Sequence, residues 1–81
     1  MKITVECYGV LSELCAPVCA LDIEATAPTV ASVLDALAAR YPACAAHLPL
    51  VACARGDELV PRSQAVQAGE TLALLPPVSG G

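Results

Sequence analysis

The chain has no tryptophan and no phenylalanine, and Tyr8 and Tyr41 are its only aromatic residues. Single-stranded nucleic acid is gripped largely by stacking bases on aromatic rings, so that class of partner finds almost no platform here. Positive charge is also scarce. Lys2, Arg40, Arg55 and Arg62 face eight carboxylates, giving a net charge of -4. This balance disfavours a phosphate backbone or an anionic membrane as partner and favours a basic protein surface.

No apolar run approaches the roughly 18 residues of a spanning helix, and Glu6 and Glu13 interrupt the start of the chain. The expected compartment is the cytoplasm. Five cysteines, an odd number, are then expected as free thiols. The spacing Cys-x-x-Cys is absent, so neither a redox pair nor a zinc knuckle is spelled out and no metal is expected. Cys7 is in phase with Ile3 and Val5, and Cys53 with Val51, as small core residues would be. Cys15, Cys19 and Cys44 read as loop or helix-end residues, scattered at the surface or half-buried. Cys44 and the single histidine, His47, could pair as metal ligands or as nucleophile and base, but no third group joins them in the sequence.

What is present is apolar: 57% of the 81 residues are hydrophobic, which separates the chain from disordered sequences and limits it to one domain. Residues 2–8 alternate, with Ile3, Val5 and Cys7 on one face, and predict a strand. After Gly9, residues 10–16 suggest a short helical turn stopped by Pro17. Residues 20–24 alternate again and predict the second arm of a hairpin. Thr29 is a helix cap, followed by the stripe Val30, Val33, Leu34, Leu37, Ala38 and Tyr41, with Pro42 as the stop. Residues 42–49 read as an irregular connection, 50–54 as a strand, Arg55-Gly56-Asp57 as a turn into Leu59 and Val60, 63–66 as one helical turn, and 71–75 as the last strand. The order predicts an α+β roll, a mixed sheet of four to five strands under one main helix.

The last segment, Pro76-Pro77-Val78-Ser79-Gly80-Gly81, follows that strand directly. Two prolines hold it extended and deny the sheet two ladder donors. Glycines 80 and 81 carry no Cβ, so this end could pass through a slot in another protein and present its α-carboxylate for activation as an acyl adenylate. The expected division is residues 1–75 as domain and 76–81 as tail, with Leu75 and Val78 as apolar contacts for a partner. For Leu75 a place in the core is an equal reading. Neither Gly-x-x-x-x-Gly-Lys-Ser/Thr nor Gly-x-Gly-x-x-Gly occurs, so the chain is expected to bind no cofactor and to catalyse nothing alone.

The stretch Gly69-Glu70-Thr71-Leu72-Ala73-Leu74-Leu75-Pro76-Pro77-Val78-Ser79-Gly80-Gly81, with Thr29-Val30, Leu34, Leu37 and Tyr41-Pro42, resembles the small, sulfur-carrying subunit family of molybdopterin synthase over nearly the whole chain. Three departures are Cys7-Tyr8, where that family has phenylalanine, Val10-Leu11-Ser12-Glu13, where it has a basic residue, and Ala54-Arg55-Gly56 at the turn, where Asn-Gly is common. The resemblance implies a ubiquitin-like β-grasp fold and a Gly81 carboxylate adenylated by a ubiquitin-activating-like adenylyltransferase that uses ATP and Mg. It implies sulfur supplied by a cysteine desulfurase or rhodanese-like donor, and a thiocarboxylate. Gly80, Ser79, Val78, Pro77, Pro76 and Leu75 would enter the large subunit, in a heterotetramer, where cyclic pyranopterin monophosphate receives the sulfur. The alternatives left open are a sulfur carrier for thiazole synthesis, tRNA thiolation or cysteine synthesis, a modifier joined to lysines through Gly81, and a non-covalent interaction module.

Overall fold

The computed structural model describes residues 1–77. Strands β1 (Lys2–Cys7), β2 (Val18–Asp22), β3 (Ala52–Arg55), β4 (Glu58–Val60) and β5 (Thr71–Leu75) form one sheet in the order β2-β1-β5-β3-β4. β1 and β5 pair in parallel at its centre, and every other pairing is antiparallel. A short helix, α1 (Val10–Leu14), links the arms of the first hairpin, and the main helix, α2 (Val30–Arg40), covers one face of the sheet. This is the α+β roll that the element order predicts, with the β-grasp arrangement that the resemblance implies.

The alternation in β1 sends Ile3, Val5 and Cys7 into the core, where Leu72 and Leu74 of β5, Cys53 of β3 and Leu21 of β2 join them. Val30, Val33, Leu34 and Leu37 close the core from α2. With no Phe or Trp in the sequence and Tyr41 only at the margin, the core depends on many small branched side chains and on cysteine. No polar or charged residue is buried among the described residues.

The start of α2 carries a reciprocal cap. The Ser32 backbone N–H donates to Thr29 Oγ1 at 3.4 Å, and the Thr29 N–H donates to Ser32 Oγ at 3.1 Å. These bonds satisfy donors that a helix start leaves open. Thr29→Ala is expected to lower stability by about 1 kcal/mol, read as a reduced urea midpoint with unchanged slope.

Residues 63–66 are not a helical turn. The chain there lies against the start of α2, where Val30 N donates to Gln64 O at 2.9 Å, Ala31 N to Arg62 O at 3.0 Å, and Thr29 bridges Ala65. Open donors of the helix thus draw the segment out and override its local preference. β2 begins earlier than its alternation suggests because pairing extends along β1 as far as Glu6 opposite Val18. Leu50 falls in a 3-10 turn (Leu48–Leu50), so β3 begins later than expected. A preceding 3-10 turn covers Pro42–Cys44.

Candidate functional site

β5 has neighbours on both edges, β1 and β3, and ends at Leu75. Leu75 does not fill the core. It is 38% exposed on the face opposite α2, because alternation from buried Leu72 and Leu74 turns it outward. Pro76 is half-buried and Pro77 is exposed. Val78, Ser79, Gly80 and Gly81 lie outside the described residues.

Towards β3 and β4 the open face beside Leu75 is apolar, while on the β1 side Glu6 stands opposite Ala73 and accepts from the Tyr8 hydroxyl at 3.3 Å. Ala52 stands opposite Leu75, Ala54 opposite Ala73, and Leu59 of β4 opposite Ala54. Leu59 is 67% exposed, so two leucines flank a floor of alanines where the chain leaves the sheet. Neither Leu59 nor this floor was singled out by the sequence reading. The available signal was phase: Leu59 alternates with Val60, and Ala52 and Ala54 with Cys53, so once Cys53 is assigned to the core the others must face outward.

Among the described residues no group of three or more His, Cys, Asp or Glu could hold a metal ion. His47 meets Cys44 through a backbone bond, from its own N–H to the Cys44 carbonyl at 2.9 Å. The arginines are engaged within the fold. Arg40 lies 4.9 Å from the Tyr41 ring centroid, and Arg55 pairs with Glu70 at 3.5 Å. Arg62 donates to the carbonyls of Leu48 and Val51 at 2.6 and 3.2 Å, pinning the second 3-10 turn. A cavity of about 300 Å³ between α2 and that turn is lined mainly by Ala31, Leu34, Ala38 and Leu48, and neither β5 nor Pro76 contributes to it. No helix among the described residues is long and apolar enough to cross a membrane.

The cysteines are free, and their placement corrects two expectations. Cys19 belongs to strand β2 rather than a loop, with Val5 opposite it. Cys44 is fully buried rather than scattered at the surface, because the 3-10 turn after α2 folds it into the core. Cys15 caps the end of α1, its N–H donating to the Leu11 carbonyl at 2.9 Å. Burial pushes all five thiols above their ordinary 9.0, Cys44 to about 11. Cys7, Cys44 and Cys53 lie in the core and Cys15 and Cys19 pack against it, the placement of small apolar packing groups.

A group whose pKa is higher in the folded than in the unfolded state contributes stability below its unfolded pKa and loses it as pH rises through the folded one. Alkaline solution is therefore expected to destabilise the fold as pH climbs from 9 towards 11, as the unfolded chain ionises first. Thiol labelling should be slow at neutral pH and accelerate together with unfolding in that window. Fast stoichiometric labelling of all five at neutral pH would contradict this placement.

The sheet thus delivers one strand end, beside an apolar floor, into the segment that carries the glycines. Comparison with known proteins agrees with this architecture. SAMP1 from Haloferax volcanii superposes with a TM-score of 0.88 at 28% identity, covering 100% of both chains. The BexX/CysO complex of Amycolatopsis orientalis gives 0.74 at 23% identity over 98% of this chain and 99% of the other. The complex of subunits 1 and 2 of the molybdopterin-converting factor from Helicobacter pylori gives 0.68 at 22% identity, covering 100% of both chains. Among curated proteins none matches the sequence. The family model for ThiS matches residues 8–81, so the chain belongs to the ThiS family of ubiquitin-fold sulfur carriers.

Proposed function

We propose that this chain is the sulfur-donating small subunit of molybdopterin synthase, with Gly81 as the atom-carrying residue. The observation that carries the reading is the β5 terminus. A central strand ends at Leu75 on an apolar open face and is followed in sequence by Pro76-Pro77-Val78-Ser79-Gly80-Gly81. Membership of the ThiS family and likeness in fold to a subunit of the molybdopterin-converting factor support it.

The chemistry follows from what a carboxylate lacks. It has no leaving group, so an adenylating partner transfers AMP from ATP, with Mg, to the Gly81 carboxylate and releases pyrophosphate. A persulfide from a cysteine desulfurase or rhodanese-like donor then attacks the carbonyl and expels AMP. A second thiol cleaves the S–S bond, which leaves a thiocarboxylate and a disulfide. The large subunit receives Val78, Ser79, Gly80 and Gly81, and the thiocarboxylate sulfur passes to cyclic pyranopterin monophosphate. Two charged small subunits complete the dithiolene. The fold serves as a handle: Leu75, Leu59 and the alanine floor supply apolar contact, and the acidic surface favours encounter with a basic channel.

Intact mass tests the reading. Incubation with the adenylating partner, ATP and a sulfur donor should add about 16 Da at the C-terminal peptide, one oxygen exchanged for sulfur. The charged chain with the large subunit should then convert cyclic pyranopterin monophosphate to molybdopterin. The mass gain without that conversion would assign the carrier to another sulfur pathway.

A second reading is a protein modifier. The 28% identity to SAMP1 over the full length favours it, since that protein is described as a small archaeal modifier. Gly81 recovered in isopeptide linkage to lysines of other proteins would establish this reading instead.

A further inference from the structure

The point where the chain leaves the sheet is shaped from the other end of the molecule. β1 and β5 run parallel with Cys7 opposite Leu74, so continuing both chains by two residues brings Gly9 level with Pro76. The ladder stops there because Pro76 has no N–H to donate. Gly9 has φ 58 and ψ -137, a backbone conformation that residues with a Cβ rarely adopt, and the chain turns from it into α1.

A second constraint is steric. A Cβ placed on Gly9 would lie 2.9 Å from Pro76 Cγ and 3.8 Å from Pro76 Cδ. The first distance is too short for carbon atoms, so the proline ring would have to move. Gly56 and Gly69 also have positive φ, yet a Cβ on either meets nothing within 4 Å. The turn is held as well as permitted. The Gly9 carbonyl accepts from Ser12 Oγ at 2.7 Å and from the Ser12 N–H at 3.1 Å.

We propose that Gly9 is the positioning residue for the C-terminal tail: it turns β1 aside at the level of Pro76 and leaves the space the proline ring occupies, which sets the direction in which the chain leaves the sheet. Direction matters because the end of the chain must reach a reacting geometry inside another protein, where a displacement of 1 Å can cost about a hundredfold in rate. The inference rests on the carrier reading for its consequence, and on the Gly9–Pro76 contact for its structure.

The test is a double-mutant cycle, read as kcat/KM for ATP-dependent charging by an adenylating enzyme that charges the wild-type chain. Gly9→Ala should lower it about tenfold, mainly in kcat, at a temperature where thermal melts show the variant folded. Pro76→Ala removes the ring and should cost about threefold. Because the clashing Cγ is then gone, Gly9→Ala should cost less in the Pro76→Ala background, keeping only the loss due to its own backbone strain, a coupling well within the range for residues in contact. Additive losses would overturn the proposal, as would wild-type charging by Gly9→Ala or by Pro76→Ala. Should Gly9→Ala not fold, Pro76→Ala still decides.

Proton NMR of the free wild-type protein supplies a readout that needs no partner. Cross-relaxation between the Gly9 Hα protons and the Pro76 ring is expected, and its absence would overturn the proposal even if charging is normal. If the contact is present and the wild-type chain is never charged, the carrier reading falls and the positioning of Pro76 by Gly9 stands.

Discussion

A chain lacking Gly80 and Gly81 is expected to unfold at the wild-type temperature and to accept no sulfur. The first half follows from where the core lies. Every buried hydrophobic residue among those described falls between Ile3 and Leu74, so shortening the end removes none of this packing. The second half follows from reach and shape. Two residues span about 7 Å when extended, and the new terminal residue, Ser79, carries a Cβ beside the carboxylate that must react. Charging should fall at least about a hundredfold. Intact mass after incubation with the adenylating partner, ATP and sulfur donor measures the loss, and thermal melting checks the fold. Charging of the shortened chain at the wild-type rate would place the chemistry elsewhere.

The second large effect concerns the core. Leu74 is fully buried on the central strand, with Cys7 beside it on the parallel partner and Cys53 on the antiparallel one. Both of these cross-strand neighbours are small, so neither side chain can fill the space vacated by a leucine. Leu74→Ala is expected to cost about 2–5 kcal/mol through lost burial and the cavity left behind. A domain of this size holds of the order of 5–10 kcal/mol in total, so the variant should be marginal. Urea denaturation should show a midpoint lowered by about 1–3 M. A midpoint within about 0.3 M of wild type would mean that the site collapses around the smaller side chain.

What the sequence reveals depends on whether a segment's structure is decided within it. β1, α2 and β5 are legible because their periodicity, the cap at Thr29 and the stop at Pro42 are local. Residues 63–66 are misread because hydrogen-bond donors from α2, more than thirty residues earlier, determine their course. Cys44 is misread for a similar reason, since a short 3-10 turn with no periodicity carries it into the core. At the candidate site, Leu75 is legible as to position but not as to face. Its outward orientation follows only from the phase of Leu72 and Leu74. Leu59 escaped because a three-residue strand displays too little alternation to weigh. Gly9 escaped because its significance lies in a residue 67 positions away, brought beside it by the parallel pairing of β1 and β5.

That pairing also governs how the molecule bears load. A partner that draws on the chain beyond Pro77 pulls β5 along its own axis, against β1 on one edge and β3 on the other. The rungs on both sides lie across the pull and are strained together rather than peeled singly from an end. Force on the tail should therefore be borne by the sheet as a whole, and an enzyme that grips this end can tug on it repeatedly without unravelling the body to which it is attached.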